Sequence, residues 1–406
     1  MRVGDPDYSA PGDAPAERTS ARDLLRRFLQ GDLASLRVIG AIALIWIIFQ
    51  SQNDRFLTAG NLTNLFLQIT AIGLIAVGIV LVLLIGEIDL SVGAVSGFAA
   101  AVMAVLSVKH GWPAVPAVIA GILTGSVIGL VQGTLFTKFT IPSFVVTLAG
   151  SLVWQGALLK VLGQTGTVNL SNSSIANLAN TFYGEAVGWI LAAVVIAIFA
   201  ASTLYGHQRR ARAGVTTEPV ALLFVRIGVM AAVTIAAVAI LNSDRGVPLA
   251  LLILIAFVIG FQLITTRTAF GRHLYAVGGS AEAARRAGIG VLKIRVIAFT
   301  LCSSMAAIGG ILAASRLLAV NQSSGGSNLL LESIAAPVIA GTSLFGGRGS
   351  VWSALLGATV IGSIANGMNL LALESSVKLM ITGGVLLAAV VVDAVARSRR
   401  QAEGRV

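Results

Sequence analysis

Residues 64 to 93 read NLFLQITAIGLIAVGIVLVLLIGEIDLSVG, an apolar run that ends abruptly in two carboxylates and a serine bracketed by glycines. As a helix, about 20 such residues rise roughly 30 Å, the thickness of a bilayer's hydrocarbon core. The run therefore predicts a membrane-spanning helix. Polar groups at membrane depth are costly and must face a bundle interior or a water-filled cavity. Gly86 and Gly93 would let the helix break there, freeing backbone groups to line that cavity. The alternative is a tight polar turn in which Asp89 caps a helix over 90–108. The cap is the preferred reading for Asp89 alone. For the segment as a whole, Gly86, Glu87, Asp89, Ser91 and Gly93 are expected to line a path.

Working outward, the same pattern recurs through all 406 residues, of which 56% are hydrophobic and 11% charged, with a mean hydropathy of +0.91. Soluble domains carry about 25% charged residues, so an all-α polytopic membrane bundle is expected. Apolar runs fall near 36–52, 64–85, 91–108, 114–136, 143–162, 186–205, 220–241, 247–265, 294–317, 333–345, 350–371 and 377–396. That makes twelve spans at most. The short run at 333–345 and the glycine interruptions near 86 and 347 leave ten or eleven spans plus half-helices open. A tail over 1–35, a transmembrane domain over 36–396 and a basic tail over 397–406 complete the expected organisation.

Orientation follows from the basic residues near the spans. Arg22, Arg26 and Arg27 precede the first run, Arg209, Arg210 and Arg212 follow the sixth, a cluster from Arg267 to Arg295 follows the eighth, and Arg397, Arg399 and Arg400 close the chain. Each cluster is separated from the next by an even number of spans, so one assignment with both termini cytoplasmic satisfies all four. The stretch 163–185 has no Lys or Arg and falls outside. These clusters, with anionic lipid as their partner, account for the net charge of +11 without nucleic acid. The first 20 residues, rich in Pro, Asp, Ala and Gly, read as disordered, without a signal-peptide cleavage site. The lone Cys302 lies in an apolar run, which excludes an intrachain disulfide and suits a buried spectator thiol.

The polar island TTRTAFGRHLYAVGGSAEAARRAGI at 265–289 interrupts this apolar background. Ser280 is placed to cap a helix over 281–287, with Glu282 in its first turn, Arg285 and Arg286 in its last, and Gly288 just beyond. So short a helix is marginal in water and needs a partner surface. Its small face of Ala283, Ala284 and Ala287 could enter a partner groove, although a plain basic loop would have the same composition.

A second polar break, GTSLFGGRGS at 341–350, includes Thr342 and Ser343 and matches the first in glycine spacing, which hints at an internal repeat. Small-residue helix packing gives a similar composition. Asn321, Gln322, Asn328, Asn366 and Asn369 could bond a neutral substrate, although such residues more often bond helix to helix. Asn366 and Asn369 share a helix face.

A phosphate-binding P-loop requires Gly-Lys followed by Ser or Thr, and none of the five lysines follows a glycine. HExxH, CxxC and GxSxG are also absent. Enzymatic activity, a metal site and a cofactor are therefore not expected in this chain.

Three passages together, GEIDLSVG at 86–93, IPSFVVTLAG at 141–150 and TRTAFGRHLYAVGGSAEAARRAGI at 266–289, resemble the permeases of bacterial ATP-binding-cassette importers for ribose, galactose, xylose and similar sugars. The spans near 220–265, NSDRGVP at 242–248 and ANGMNLL at 365–371 are most similar to the xylose-type subunit. The resemblance implies a homodimer, a cytoplasmic two-cassette ATPase that binds ATP and Mg, and an extracytoplasmic sugar-binding protein. It also implies that the cytoplasmic loop 266–292 carries a coupling helix, with Gly271, Arg272, Gly278, Gly279, Glu282, Ala283, Ala284 and Gly288 matching the family pattern. Ser280 stands where relatives commonly carry Asn. The implied mechanism is alternating access in the bacterial plasma membrane. A rival is an ion-coupled secondary sugar transporter using Glu87 and Asp89, and a membrane scaffold is a second.

Overall fold

The computed structural model describes residues 33–170, 174–214 and 219–402, so the expected N-terminal tail with Arg22, Arg26 and Arg27 lies outside it. The apolar runs fold as α1 (Leu33–Gln52), α2 (Ala59–Leu84), α3 (Val92–Ala104), α4 (Ala114–Phe139) and α5 (Ser143–Leu162). One π turn over Val105–Lys109 extends α3. After the short α6 (Asn177–Asn180) come α7 (Glu185–Arg212), α8 (Val220–Asn242) and α9 (Leu249–Arg267). Two short helices follow, α10 (Ala269–Gly279) and α11 (Ala281–Arg286). The chain then forms α12 (Val291–Leu317), α13 (Ser327–Ile339), α14 (Trp352–Leu370) and α15 (Ser375–Ala402). Eight helices among the described residues are long and apolar enough to cross a membrane, and shorter apolar helices join them. The result is a polytopic helical membrane bundle.

A helix that is apolar all round belongs in the centre of such a bundle. That helix is α2, 94% buried over its most apolar window, whereas α7 and α8 bury only 11% each and form a rim whose side chains suit lipid. Around α2 pack α12, α14 and α13, and α12 in turn packs against α4 and α3.

Contacts between connections sort them into two ends. At one end, Asn53 Nδ2 donates to the Leu370 carbonyl (3.2 Å), Lys109 Nζ to the Leu162 carbonyl (2.9 Å) and Arg245 Nη2 to Asn64 Oδ1 (2.6 Å). Two small antiparallel ladders lie at the same end. They pair β1 (Thr167–Asn169) with β4 (Ala319–Asn321) and β2 (Phe182–Tyr183) with β3 (Val247–Pro248). We call this the far end. At the other, the basic end, the connection after α2 meets the one after α13, where Gly347 N donates to the Leu84 carbonyl (2.9 Å). Successive connections alternate between the ends.

Two readings that the sequence left open are resolved. The run at 333–345 does not form a span over those residues: α13 occupies Ser327–Ile339, because Ser327, Asn328 and Glu332 are taken into the helix and the glycines from Gly341 onward end it. At about 1.5 Å per residue its 13 residues rise only about 20 Å, so it is a partial span. The stretch after α2 is a turn followed by irregular chain, not a half-helix, with Gly86 at φ +75°.

Candidate functional site

Near the far end, a cavity of about 610 Å³ lies between α2, α3, α12 and the segment 319–332. Gln68, Ser96, Arg316, Asn321, Asn328 and Glu332 contribute to its wall. Ser96 Oγ donates to the Gly93 carbonyl (2.7 Å), and Asn321 Oδ1 accepts from Ser323 N (3.0 Å), which folds the loop into an Asx turn. Among the described residues no partner engages the side chains of Gln68, Arg316, Asn328 or Glu332. Amide donors and acceptors, one cation and one carboxylate thus meet a small polar solute without first breaking internal bonds. A second cavity of about 350 Å³, walled partly by Ser151 and Gln155 of α5, lies on the other side of residues 324–327.

Below this level the chain from Gly86 runs through the bundle without regular secondary structure. Such a segment cannot satisfy its own backbone, and α5 supplies hydroxyls: Ile88 N donates to Ser143 Oγ (3.4 Å) and Leu90 N to Thr147 Oγ1 (3.1 Å). Asp89 does not cap α3. Its Oδ1 accepts from the backbone N (2.8 Å) and the hydroxyl (2.6 Å) of Ser91, so it closes a turn on itself. Ser91 Oγ also meets Gln132 Oε1 at 2.9 Å, and Gln132 Nε2 and Trp154 Nε1 are buried without partners among the described residues. One hydroxyl proton cannot serve two acceptors. Turning the Gln132 amide makes Nε2 the donor to Ser91 and sends Oε1 toward Gly150, beside which Trp154 Nε1 also lies. The network then runs Gln132, Ser91, Asp89.

At the basic end both breaks and the polar island meet. A methyl group on Gly278 of α10 would collide with the Leu84 carbonyl at the end of α2, so α10 rests directly on that turn. Gly346 and Gly347, at φ +86° and +72°, fold against Gly278 and Gly86. Tyr275 donates its hydroxyl to the Gly349 carbonyl (2.8 Å), and burial pushes the phenol pKa up, so the group stays a donor. Glu87 Oε1 pairs with Arg295 Nη2 at 3.0 Å.

The short helix forms as its caps dictate. Ser280 Oγ accepts from Ala283 N (3.2 Å), Glu282 pairs with Arg285 (3.5 Å) and Arg286 (3.0 Å), and Gly288 follows at φ +80°. Arg272, Gly279, Ser280, Glu282, Ala283, Arg285, Arg286 and Gly288 are exposed together, whereas Gly271 and Ala284 are buried and Gly278 is half-buried. Of the expected small face, only Ala283 and Ala287 are open, because Ala284 packs into the bundle's own core.

The remaining candidate residues lie away from the larger cavity. Thr342 Oγ1 bonds Ser353 Oγ (2.5 Å), and Ser343 Oγ accepts from Phe345 N (3.2 Å). Asn366 and Asn61 exchange amide bonds at 2.8 and 3.0 Å, tying α14 to α2, while Asn369 Oδ1 accepts from Lys378 Nζ (2.8 Å). Gln68, Ser96, Arg316, Glu332 and Gln132 were missed by sequence reasoning. The available signal was a polar residue inside or at the end of an apolar run.

A spanning bundle with a polar cavity near one end and a capped, exposed helix at the other defines the membrane component of a transport system. Residues 61–390 match the family described as the permease component of the branched-chain amino acid transport system. The chain belongs to that family of ATP-binding-cassette permeases, multi-pass membrane proteins that are not themselves catalytic and work with an ATPase and a binding protein. It is similar to the xylose transport system permease protein XylH of Escherichia coli strain K12, at 35% identity over 89% of this chain and 92% of the relative. The corresponding protein of Haemophilus influenzae is 36% identical over 87% of this chain and 94% of its own. The ribose import permease protein RbsC of Escherichia coli strain K12 is 30% identical over 91% of this chain and 96% of its own. No solved structure matches.

Proposed function

We propose that this chain is the monosaccharide-conducting permease of an ATP-driven importer, with a pentose such as xylose as cargo. The observation that carries the reading is the cavity wall, where amides, a hydroxyl and unengaged polar groups suit a neutral polyol. The xylose and ribose permeases among its relatives support the same cargo class. In this reading the basic end is cytoplasmic, in the bacterial inner membrane, by the positive-inside bias. An ATPase there grips residues 280–288, and the far end receives sugar from a binding protein. Two copies of the chain flank the path. Closure of the ATPase moves α11, and the bundle tilts to open the path on one side at a time. Glu87 is already paired with Arg295, so it is not offered as a coupling-ion carrier.

The test is uptake in proteoliposomes holding the permease, its ATPase and its binding protein. ATP-dependent entry of D-xylose or D-ribose, with none of leucine, is the expected result. Leucine entry, or sugar entry driven by an ion gradient without ATP, refutes the proposal.

A further inference from the structure

Two routes lead from α11 into the bundle, and both end on the same few residues. Along α10, Gly278 presses on the Leu84 carbonyl that also receives Gly347 N. In the other direction Ile289 N donates to the Ala284 carbonyl (3.0 Å), and the turn feeds directly into α12, which carries Arg295. Arg295 then reaches back to Glu87 at 3.0 Å. The side chains of Arg295 and Glu87 are 26% and 16% exposed, against 61% or more for the Glu282 pairs on α11. An ion pair partly out of water is screened less and holds its geometry better than an exposed one. Among the described residues Arg295 Nε has no partner, so a single nitrogen, Nη2, makes the contact. Beyond Glu87, the chain hangs from α5 by Ser143 and Thr147.

We propose that Glu87 and Arg295 are the joint through which movement of α11 reaches the re-entrant segment 86–91. The inference rests on the function proposed above. They are positioning residues: they touch no substrate and act through the segment they hold.

A charge-swap cycle tests this in the assembled complex in proteoliposomes. One readout is ATP hydrolysed per pentose moved. A second, independent of cargo, is the ATP-dependent change in maleimide labelling of Ile88→Cys. Glu87→Gln, Glu87→Arg and Arg295→Glu should each raise ATP consumed per sugar roughly tenfold, within the range of coupling between linked sites, and abolish the labelling change. ATPase co-purification should stay unchanged. Glu87→Arg combined with Arg295→Glu should restore both readouts. Single variants that keep the parent stoichiometry and labelling change overturn the joint, as does a swap that recovers protein yield without recovering coupling. If the single variants do not accumulate, the swap alone decides by the same criterion. A parent complex whose Ile88→Cys labelling responds to ATP but which moves no pentose overturns the cargo assignment and leaves the joint standing.

Discussion

At the level of single residues, what matters is how many buried groups each side chain satisfies. Asp89 accepts two bonds from Ser91 in a buried turn, and Asp89→Ala strands the Ser91 amide while the hydroxyl keeps Gln132 as a partner, a cost of about 1–3 kcal/mol. Ser343 holds one exposed loop amide, and Ser343→Ala should cost no more than about 0.5 kcal/mol. Uptake by Asp89→Ala should therefore fall well below that of Ser343→Ala; equal rates would contradict the network described for the re-entrant segment. Gly278 and Gly279 make a sharper pair. Both sit in the last turn of α10, where alanine is intrinsically favoured over glycine by up to about 1 kcal/mol. Yet only Gly278 abuts a backbone carbonyl, and nothing lies within 4 Å of a methyl on Gly279. Gly278→Ala should lower the melting temperature of the purified permease, since overpacking costs about 1–3 kcal/mol. Gly279→Ala should leave it unchanged or raise it.

At the level of elements, α11 was legible because its signals are local. A serine cap, an acid in the first turn, bases in the last and a glycine beyond it require no knowledge of the rest of the chain. The spans were legible for a similar reason, since length and hydropathy decide them. The re-entrant segment and α13 were not. Whether Asp89 caps a helix or closes its own turn depends on the Ser143 and Thr147 hydroxyls of α5, some 55 residues away in sequence. The cavity was missed for the same reason, because Gln68, Arg316 and Glu332 come from three helices and share no spacing. A prediction follows for α11. Glu282→Arg combined with Arg285→Glu keeps opposite charges three residues apart, but it turns the Glu282–Arg286 pair into like charges and sets both ends against the helix dipole, so α11 should lose up to about 1 kcal/mol. The exposed charge pattern is also inverted. Co-purification with the ATPase should drop sharply while membrane insertion is unaffected; undiminished co-purification would remove α11 from the contact.

At the level of the whole molecule, the two breaks that resemble each other in glycine spacing are neighbours in space, closing on Gly278 from two sides. The alternation of connections between two ends makes orientation a single binary question for all spans at once. Cys302 is the only cysteine and is buried, so the parent chain is a silent background for thiol labelling. Ser243→Cys, in the turn after α8, reports the far end, and Arg286→Cys, on α11, reports the basic end. In intact cells an impermeant maleimide should modify Ser243→Cys and spare Arg286→Cys until the membrane is permeabilised. The opposite result would invert the orientation and place α11 beyond the reach of a cytoplasmic ATPase. Labelling of both from outside would break the alternation itself, because α9, the membrane-length helix between the two positions, would then fail to carry the chain across the bilayer.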